Sequence, residues 1–250
     1  MEKRYLTYYS NILYKDMEMN IYGQGGRPVL YIPTQEGRFY DFEDFKMDYV
    51  CSEWINGGKI TVFSIDTIDA ETWTAQGDPR WRIERYEQWI HFITDELAPF
   101  IKHYMSDKNN EEYKGGILTF GCSLGAAHAA NLYFRRPDIF DSLLALSGVY
   151  SASYGFGDYM DELVYMNSPV DYMYNLPDDH PYIDIFNSQK AVICTGQGPW
   201  EYPEYTRAID WILKSKGINT WVDYWGHDVR HDWDWWYKEV AYFMPYLLDE

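Results

Sequence analysis

Ser123 is the residue of this chain most readily read as a nucleophile. It stands at the centre of Gly121-Cys122-Ser123-Leu124-Gly125, a G-x-S-x-G pentapeptide. A serine hydroxyl attacks only when a base takes its proton, and the base must be oriented by a third group. Where such a serine sits on a strand-to-helix corner, the chain order is serine, then Asp or Glu, then His. A histidine is therefore expected late in the chain, and His227 and His231 are both there. His231 is favoured because it precedes a Trp-rich helix start, from which a loop can aim it back at Ser123. His227 is then a supporting loop residue. The other histidines fit less well: His91 and His103 precede the serine, His128 lies on the helix after it and reads as a packing residue, and His180 is a candidate substrate contact.

For the third group, the loop after residues 190–195 offers Glu201 first and Glu204 next, with Asp223 and Asp228 as further candidates. Glu201 is favoured, since Glu204 opens the following helix, where a first-turn carboxylate is ordinary dipole compensation. Trp200, next to Glu201, is a second candidate substrate contact. Charge developing on a substrate oxygen needs two N–H donors. One is expected from Leu124, at the N-terminus of the serine helix; the other is expected from the loop Pro33 to Arg38, at Gln35 or Glu36. His227-Asp228-Val229-Arg230-His231 also has the spacing of a zinc-binding H-E-x-x-H helix. That motif needs a helix across both histidines and a glutamate as base. Here Gly226 precedes the pair and Asp228 is shorter, so no metal is assigned, and the serine chemistry calls for no organic cofactor.

These residues must be brought together by regular elements. Ile117 to Phe120 reads as a short buried strand and Leu124 to Phe134 as a helix, which is the context the pentapeptide requires. Arg4 to Leu13 and Asp16 to Tyr22 read as a hairpin turning near Tyr14-Lys15-Asp16. Further strands are expected at Pro28 to Ile32, Lys59 to Ile65, Ser142 to Leu146, Lys190 to Thr195 and Asn219 to Trp225. Helices are expected at Phe39 to Val50, from Arg82 to a kink or end at Pro99, at Glu204 to Lys216, and from Trp233 onward. Residues 147–189 have no clean period and read as a lid-like insertion with short helices of its own. A hairpin followed by alternating strands and helices implies one α/β domain over residues 1–250, with a mostly parallel sheet covered on both faces. Sites in such sheets form at the carboxyl ends of the strands, where the Ser123, Pro33, Gly196 and Gly226 loops all emerge.

Bulk properties narrow the partners. A net charge of −18 disfavours nucleic acid and anionic membrane surfaces. No apolar run approaches the length of a membrane span. The first residues contain no apolar signal-peptide core, so a cytoplasmic location is expected. The three cysteines, Cys51, Cys122 and Cys194, are too scattered for a disulfide framework and read as buried thiols. The 25 Tyr and 11 Trp could supply a sugar-binding surface, although rings of this kind also fill cores.

Four segments resemble one known group: Gly121 to His128, Arg136-Pro137-Asp138-Ile139-Phe140, Gly196 to Glu201, and His231-Asp232-Trp233-Asp234-Trp235-Trp236. Together they are similar to the esterases of the α/β-hydrolase fold, the group that includes S-formylglutathione hydrolase (esterase D), feruloyl esterases and the mycolyltransferases. The resemblance implies a Ser–Glu–His triad at Ser123, Glu201 and His231. It departs from the group where Thr34-Gln35-Glu36 replaces the usual loop glycines before Gly37. The expected activity is a serine esterase that acts through an acyl-enzyme on a small carboxylic ester or thioester, carbohydrate- or aryl-linked. Transfer of the acyl group to an alcohol or sugar, and a non-catalytic binding module on the same fold, are the competing expectations. Self-association into a homo-oligomer is left open.

Overall fold

The structure is a computed structural model and describes residues 1–249. Eight strands form one sheet: β1 (Lys3–Ser10), β2 (Lys15–Tyr22), β3 (Arg27–Ile32), β4 (Ile60–Ile65), β5 (Ile117–Cys122), β6 (Phe140–Leu146), β7 (Lys190–Thr195) and β8 (Trp221–Tyr224). Their order in space is β1-β2-β4-β3-β5-β6-β7-β8. β1 and β2 pair antiparallel, as does β2 with β4; every other pair is parallel. This is the α/β-hydrolase arrangement.

The central strands are buried from end to end because both faces are covered. Side chains alternate between the two layers, as the two-residue strand period dictates. Leu30 and Ile32 of β3 join the core under the helices Pro79–Asn109, Leu124–Arg135 and Pro203–Ser215. Val29 and Tyr31 join the opposite core, against the helical turns of residues 41–56 and the C-terminal helix Trp233–Leu247. Small residues let the serine helix sink completely into this layer: Ala126, Ala127, Ala129 and Ala130 are all buried.

Two local expectations are corrected, and a third, at Pro99, is narrowed to one of its alternatives. The opening hairpin turns over Asn11 to Tyr14, with Ser10 facing Lys15, so residues 11–13 leave the strand. Glu96 explains this, taking hydrogen bonds from the Ser10 hydroxyl at 2.6 Å and the Asn11 N–H at 2.9 Å. The helix expected over Phe39 to Val50 breaks into one-turn pieces, Asp41–Asp44, Met47–Val50 and Ser52–Asn56, with Lys46 in the left-handed region at φ 60°. These turns bury Phe42, Met47, Trp54 and Ile55, which a straight helix would spread around its circumference. Pro99 does not end its helix: a wide π turn over Phe92–Leu97 precedes it, and the helix continues from Ala98 to Asn109. Such a turn absorbs the hydrogen bond that a helical proline cannot make. Residues 147–189 carry the short helices Ser153–Phe156, Glu162–Met166, Pro169–Tyr174 and Tyr182–Asn187. Among the described residues, no helix is long and apolar enough to cross a membrane.

Candidate active site

The corner after β5 is sharp. Ser123 takes φ 57° and ψ −127°, a conformation costly for any residue with a Cβ. The two flanking glycines make it sterically possible. A Cβ on Gly121 would lie 2.3 Å from the Gly125 backbone, and one on Gly125 would lie 2.3 Å from the carbonyl oxygens of Ile32 and Pro33. The second clash shows how closely the Pro33 loop is laid against the start of the serine helix. The Ser123 N–H donates to Leu146 O at 2.9 Å, tying the corner to the end of β6.

Ser123 Oγ and His231 Nε2 share a hydrogen bond of 2.9 Å. The imidazole is delivered by the loop after β8, whose backbone packs against the loop after β7. Gly196 and Gly198 allow that approach, since a Cβ on either would meet Val229 O at 2.5 Å. The Gly198 N–H donates to Val229 O, and the His231 N–H donates to Pro199 O at 3.1 Å. The edge of the His231 ring rests against Trp236, with centroids 4.9 Å apart. His227 and His231 lie in this loop and not on a helix, so their i,i+4 spacing does not align them on one face. His227 turns its Nδ1 to Gln197 O at 3.3 Å and is exposed.

Glu201 lies on the other side of the imidazole, with Oε2 3.5 Å from His231 Nδ1. Its carboxylate also accepts from Ser147 Oγ at 2.7 Å and from Thr195 Oγ1 at 3.1 Å. Burial pushes its pKa up, but the hydrogen bonds from His231 and Ser147 and the neighbouring imidazole outweigh burial and hold it below the usual value. Ser147 is itself fixed by the Trp236 indole N–H, which donates to its hydroxyl at 3.0 Å. Neither Ser147 nor Thr195 was singled out from sequence; the only clue was that each sits at the carboxyl end of a strand. Glu204 falls in the first turn of the helix Pro203–Ser215, as expected.

Behind Glu201 stands Glu239, fully buried on the C-terminal helix. Its Oε1 faces Cys194 Sγ at 3.7 Å and its Oε2 has no partner among the described residues. Burial, then the negative charge of Glu201, push its pKa up to about 8. All three cysteines are buried free thiols.

The Leu124 N–H opens the serine helix and has no protein acceptor among the described residues. Of the two amides expected to join it, that of Glu36 is already committed, donating to Asp69 Oδ2 at 3.0 Å. The Gln35 N–H has no such acceptor among the described residues. The Gln35 side chain receives a 3.0 Å hydrogen bond from the hydroxyl of Tyr154, on the first short helix of the 147–189 segment.

A small pocket of about 60 Å³ opens at Ser123, lined by Leu124, Ser147, Gly148, Val149, Tyr154, Tyr202 and His231. The aromatic wall is made by Tyr154 and Tyr202; Trp200, the ring expected there, points to solvent and is 77 % exposed. His180 lines a separate groove with Arg135, Arg136 and Tyr172 and has no part in the pocket at Ser123.

A family model described as Putative esterase matches residues 10–241. A comparison with curated proteins gives no match. Among solved structures, a ferulic acid esterase is similar at 16% identity, with TM-score 0.74, covering 99% of this chain and 98% of that one. MPT51 (FbpC1) from Mycobacterium tuberculosis is similar at 14% identity, with TM-score 0.71, covering 100% and 98%. S-formylglutathione hydrolase (FrmB) from Staphylococcus aureus is similar at 11% identity, with TM-score 0.62, covering 99% and 98%. At these identities the likeness is one of fold.

Proposed function

The chain belongs to the esterase family and is an enzyme acting on ester bonds, and from that premise we propose that it is a serine esterase working through Ser123, His231 and Glu201. Ser123 Oγ attacks the ester carbonyl while His231 Nε2 takes its proton. The oxyanion that forms is held by the N–H groups of Leu124 and Gln35. His231 then returns the proton to the leaving alcohol or thiol, and an acyl-enzyme remains on Ser123. Water, deprotonated by the same imidazole, releases the acid. Glu201 holds the imidazole in the tautomer that presents an unprotonated Nε2 to the serine and stabilises the imidazolium that forms.

The single observation that carries this is the 2.9 Å contact between His231 Nε2 and Ser123 Oγ. It joins residues 108 positions apart along the chain. The pocket of about 60 Å³ favours a short acyl group over a bulky aromatic one, and Tyr154 and Tyr202 stand where an aromatic or sugar leaving group would pass. The 147–189 segment serves as the roof of the site, through Gly148, Val149 and Tyr154.

The test is a panel of p-nitrophenyl esters of increasing acyl length, with a fluorophosphonate probe and mass spectrometry to locate the label. The proposal expects acetate esters to turn over best and the label to sit on Ser123. Added glycerol or glucose tests for acyl transfer, which would appear as a new ester product. Folded protein that neither labels nor turns over any ester would overturn the proposal.

A further inference from the structure

The Pro33 loop is held in place by a buried chain of polar groups that starts on the serine helix. His128, five residues after Ser123, is 1% exposed, and Asp69 is 2% exposed. The Tyr86 hydroxyl lies 2.8 Å from His128 Nδ1, and His128 Nε2 lies 2.9 Å from Asp69 Oδ1. The other carboxylate oxygen, Oδ2, accepts the Glu36 N–H at 3.0 Å. With Tyr86 donating to Nδ1, the imidazole carries its proton on Nε2 and donates to Asp69. Every polar atom along this path then has a partner, as buried groups require. The Thr74 hydroxyl shares its one hydrogen between Glu36 Oε1 at 2.5 Å and Asp69 O at 3.0 Å.

The backbone at the end of this chain is strained. Thr34 O accepts the Gly37 N–H at 2.8 Å, closing a turn in which Glu36 is the third residue. Glu36 has φ 55°, a region that suits Gly or Asn at this turn position and persists elsewhere only when the surroundings enforce it. Gln35, whose N–H has no acceptor among the described residues, is the adjacent residue. Rotation of the peptide linking Gln35 to Glu36 would break the bond to Asp69 and open the Thr34–Gly37 turn that holds the Gln35 backbone in place.

We propose that His128 and Asp69 are positioning residues for the oxyanion, holding Glu36 in its left-handed conformation so that the Gln35 N–H stays aimed at the substrate oxygen. The buried pair supplies from the side the definition that the loop's own sequence lacks. This rests on the serine-esterase assignment above. It adds two residues that touch neither substrate nor nucleophile and would otherwise read as core.

The variants are Asp69→Asn and His128→Gln, with Tyr86→Phe as a milder change that keeps volume and fold. Each is assayed for kcat and KM on p-nitrophenyl acetate, for Tm, and for Ki of an arylboronic acid, which forms a tetrahedral anion on the serine. Misplacing a donor by a fraction of an ångström predicts that kcat falls about 10- to 100-fold in Asp69→Asn and His128→Gln, with KM within about twofold. Boronate affinity should weaken by the same factor. Tyr86→Phe should move both quantities in the same direction by about 2- to 5-fold. A purely structural role would lower Tm without tying boronate affinity to kcat. Folded Asp69→Asn with wild-type kcat and wild-type boronate affinity overturns the inference. So does Tyr86→Phe with unchanged values, should the other two not fold. Retained turnover in Ser123→Ala would instead overturn the serine-esterase assignment, so the two failures are distinguishable.

Discussion

Replacing Glu239 by glutamine should stabilise the protein at neutral and alkaline pH and do little or slightly the reverse at pH 5. Glu239 is fully buried, has one oxygen without a partner, and is pushed up to about 8 from an ordinary 4.5 by burial and by Glu201. Between those two values the folded protein holds a proton that the unfolded chain has released. Stability therefore falls as pH rises through that window and levels off above it. Each unit is worth about 1.4 kcal/mol, so by pH 7 this one carboxyl removes about 3 kcal/mol relative to acid conditions. Glutamine has the shape of the protonated acid and nothing to titrate. It introduces one amide N–H that needs an acceptor, at a cost of about 1 kcal/mol. The net expectation is a gain of about 2 kcal/mol at pH 7, or about 4–8 °C in Tm for a chain of this size.

The assay is thermal or urea unfolding of both proteins at pH 5, 7 and 8.5. The wild-type curve should fall with pH and the Glu239→Gln curve should stay flatter, so that the two cross between pH 5 and 7. Glu201 contributes its own pH dependence at the acid end, because its pKa is lowered, and so does not mask the crossing. A Glu239→Gln protein whose difference from wild type is the same at pH 5 and pH 8.5 would show that Glu239 is already ionised in the fold. Esterase activity at pH 7 should be within about twofold of wild type, since the charge beside Glu201 is unchanged.

Ser123→Ala should lower kcat by about 10⁴-fold or more with Tm nearly unchanged, measured on p-nitrophenyl acetate. His231→Ala should cost a similar factor and His227→Ala less than about fivefold, because only the first reaches Ser123; the reverse ranking would refute the site. Ser147→Ala removes a hydrogen bond to Glu201 and the acceptor of the Trp236 N–H. The folded-state pKa of Glu201 should then rise toward its unfolded value, so stability at neutral pH should drop and the part lost on acidification below about pH 4.5 should shrink, as seen by unfolding from pH 6 down to 3. Gly125→Ala drives a methyl to 2.3 Å from two carbonyl oxygens and should destabilise by about 3 kcal/mol or leave the chain insoluble.

What could be read from the sequence was what is locally determined. The serine corner announces itself because a strand turning straight into a helix needs Gly121 and Gly125 beside Ser123. Residues 190–195 appear as a strand with the expected limits, because a β-branched apolar run buried on both faces has one reading. The broken helix at residues 41–56 did not show, because what breaks it is the burial of Phe42, Met47 and Trp54 against a distant part of the sheet. The wide turn before Pro99 is one of several ways to absorb the hydrogen bond a helical proline cannot make, and the sequence does not choose among them. Gln35 and Glu36 could not be separated by sequence, since the difference between their amides is made by Asp69, 33 residues further on. Tyr202 and Trp200 are two aromatic rings two positions apart, and nothing in their types tells that Trp200, at φ 67°, is exposed while Tyr202 lines the pocket.

His128 and His231 are the same side chain in opposite settings. His128 has both ring nitrogens occupied in the core, by Tyr86 and Asp69, and faces no substrate pocket. His231 keeps an edge on the pocket, with Glu201 behind and Ser123 in front. Glu201 and Glu239 divide in the same way: three donors keep Glu201 ionised, while Glu239, with a thiol at 3.7 Å and nothing on its second oxygen, keeps its proton. Were both carboxyls charged, each would raise the other's pKa, at a cost in stability. A neutral Glu239 leaves Glu201 as the one ionised member of the pair, its charge directed at His231. Environments that push paired groups apart in this way separate a working acid–base site from its scaffold. Above pH 8 that separation should fade, and the stability advantage of Glu239→Gln over the wild type should be at its largest.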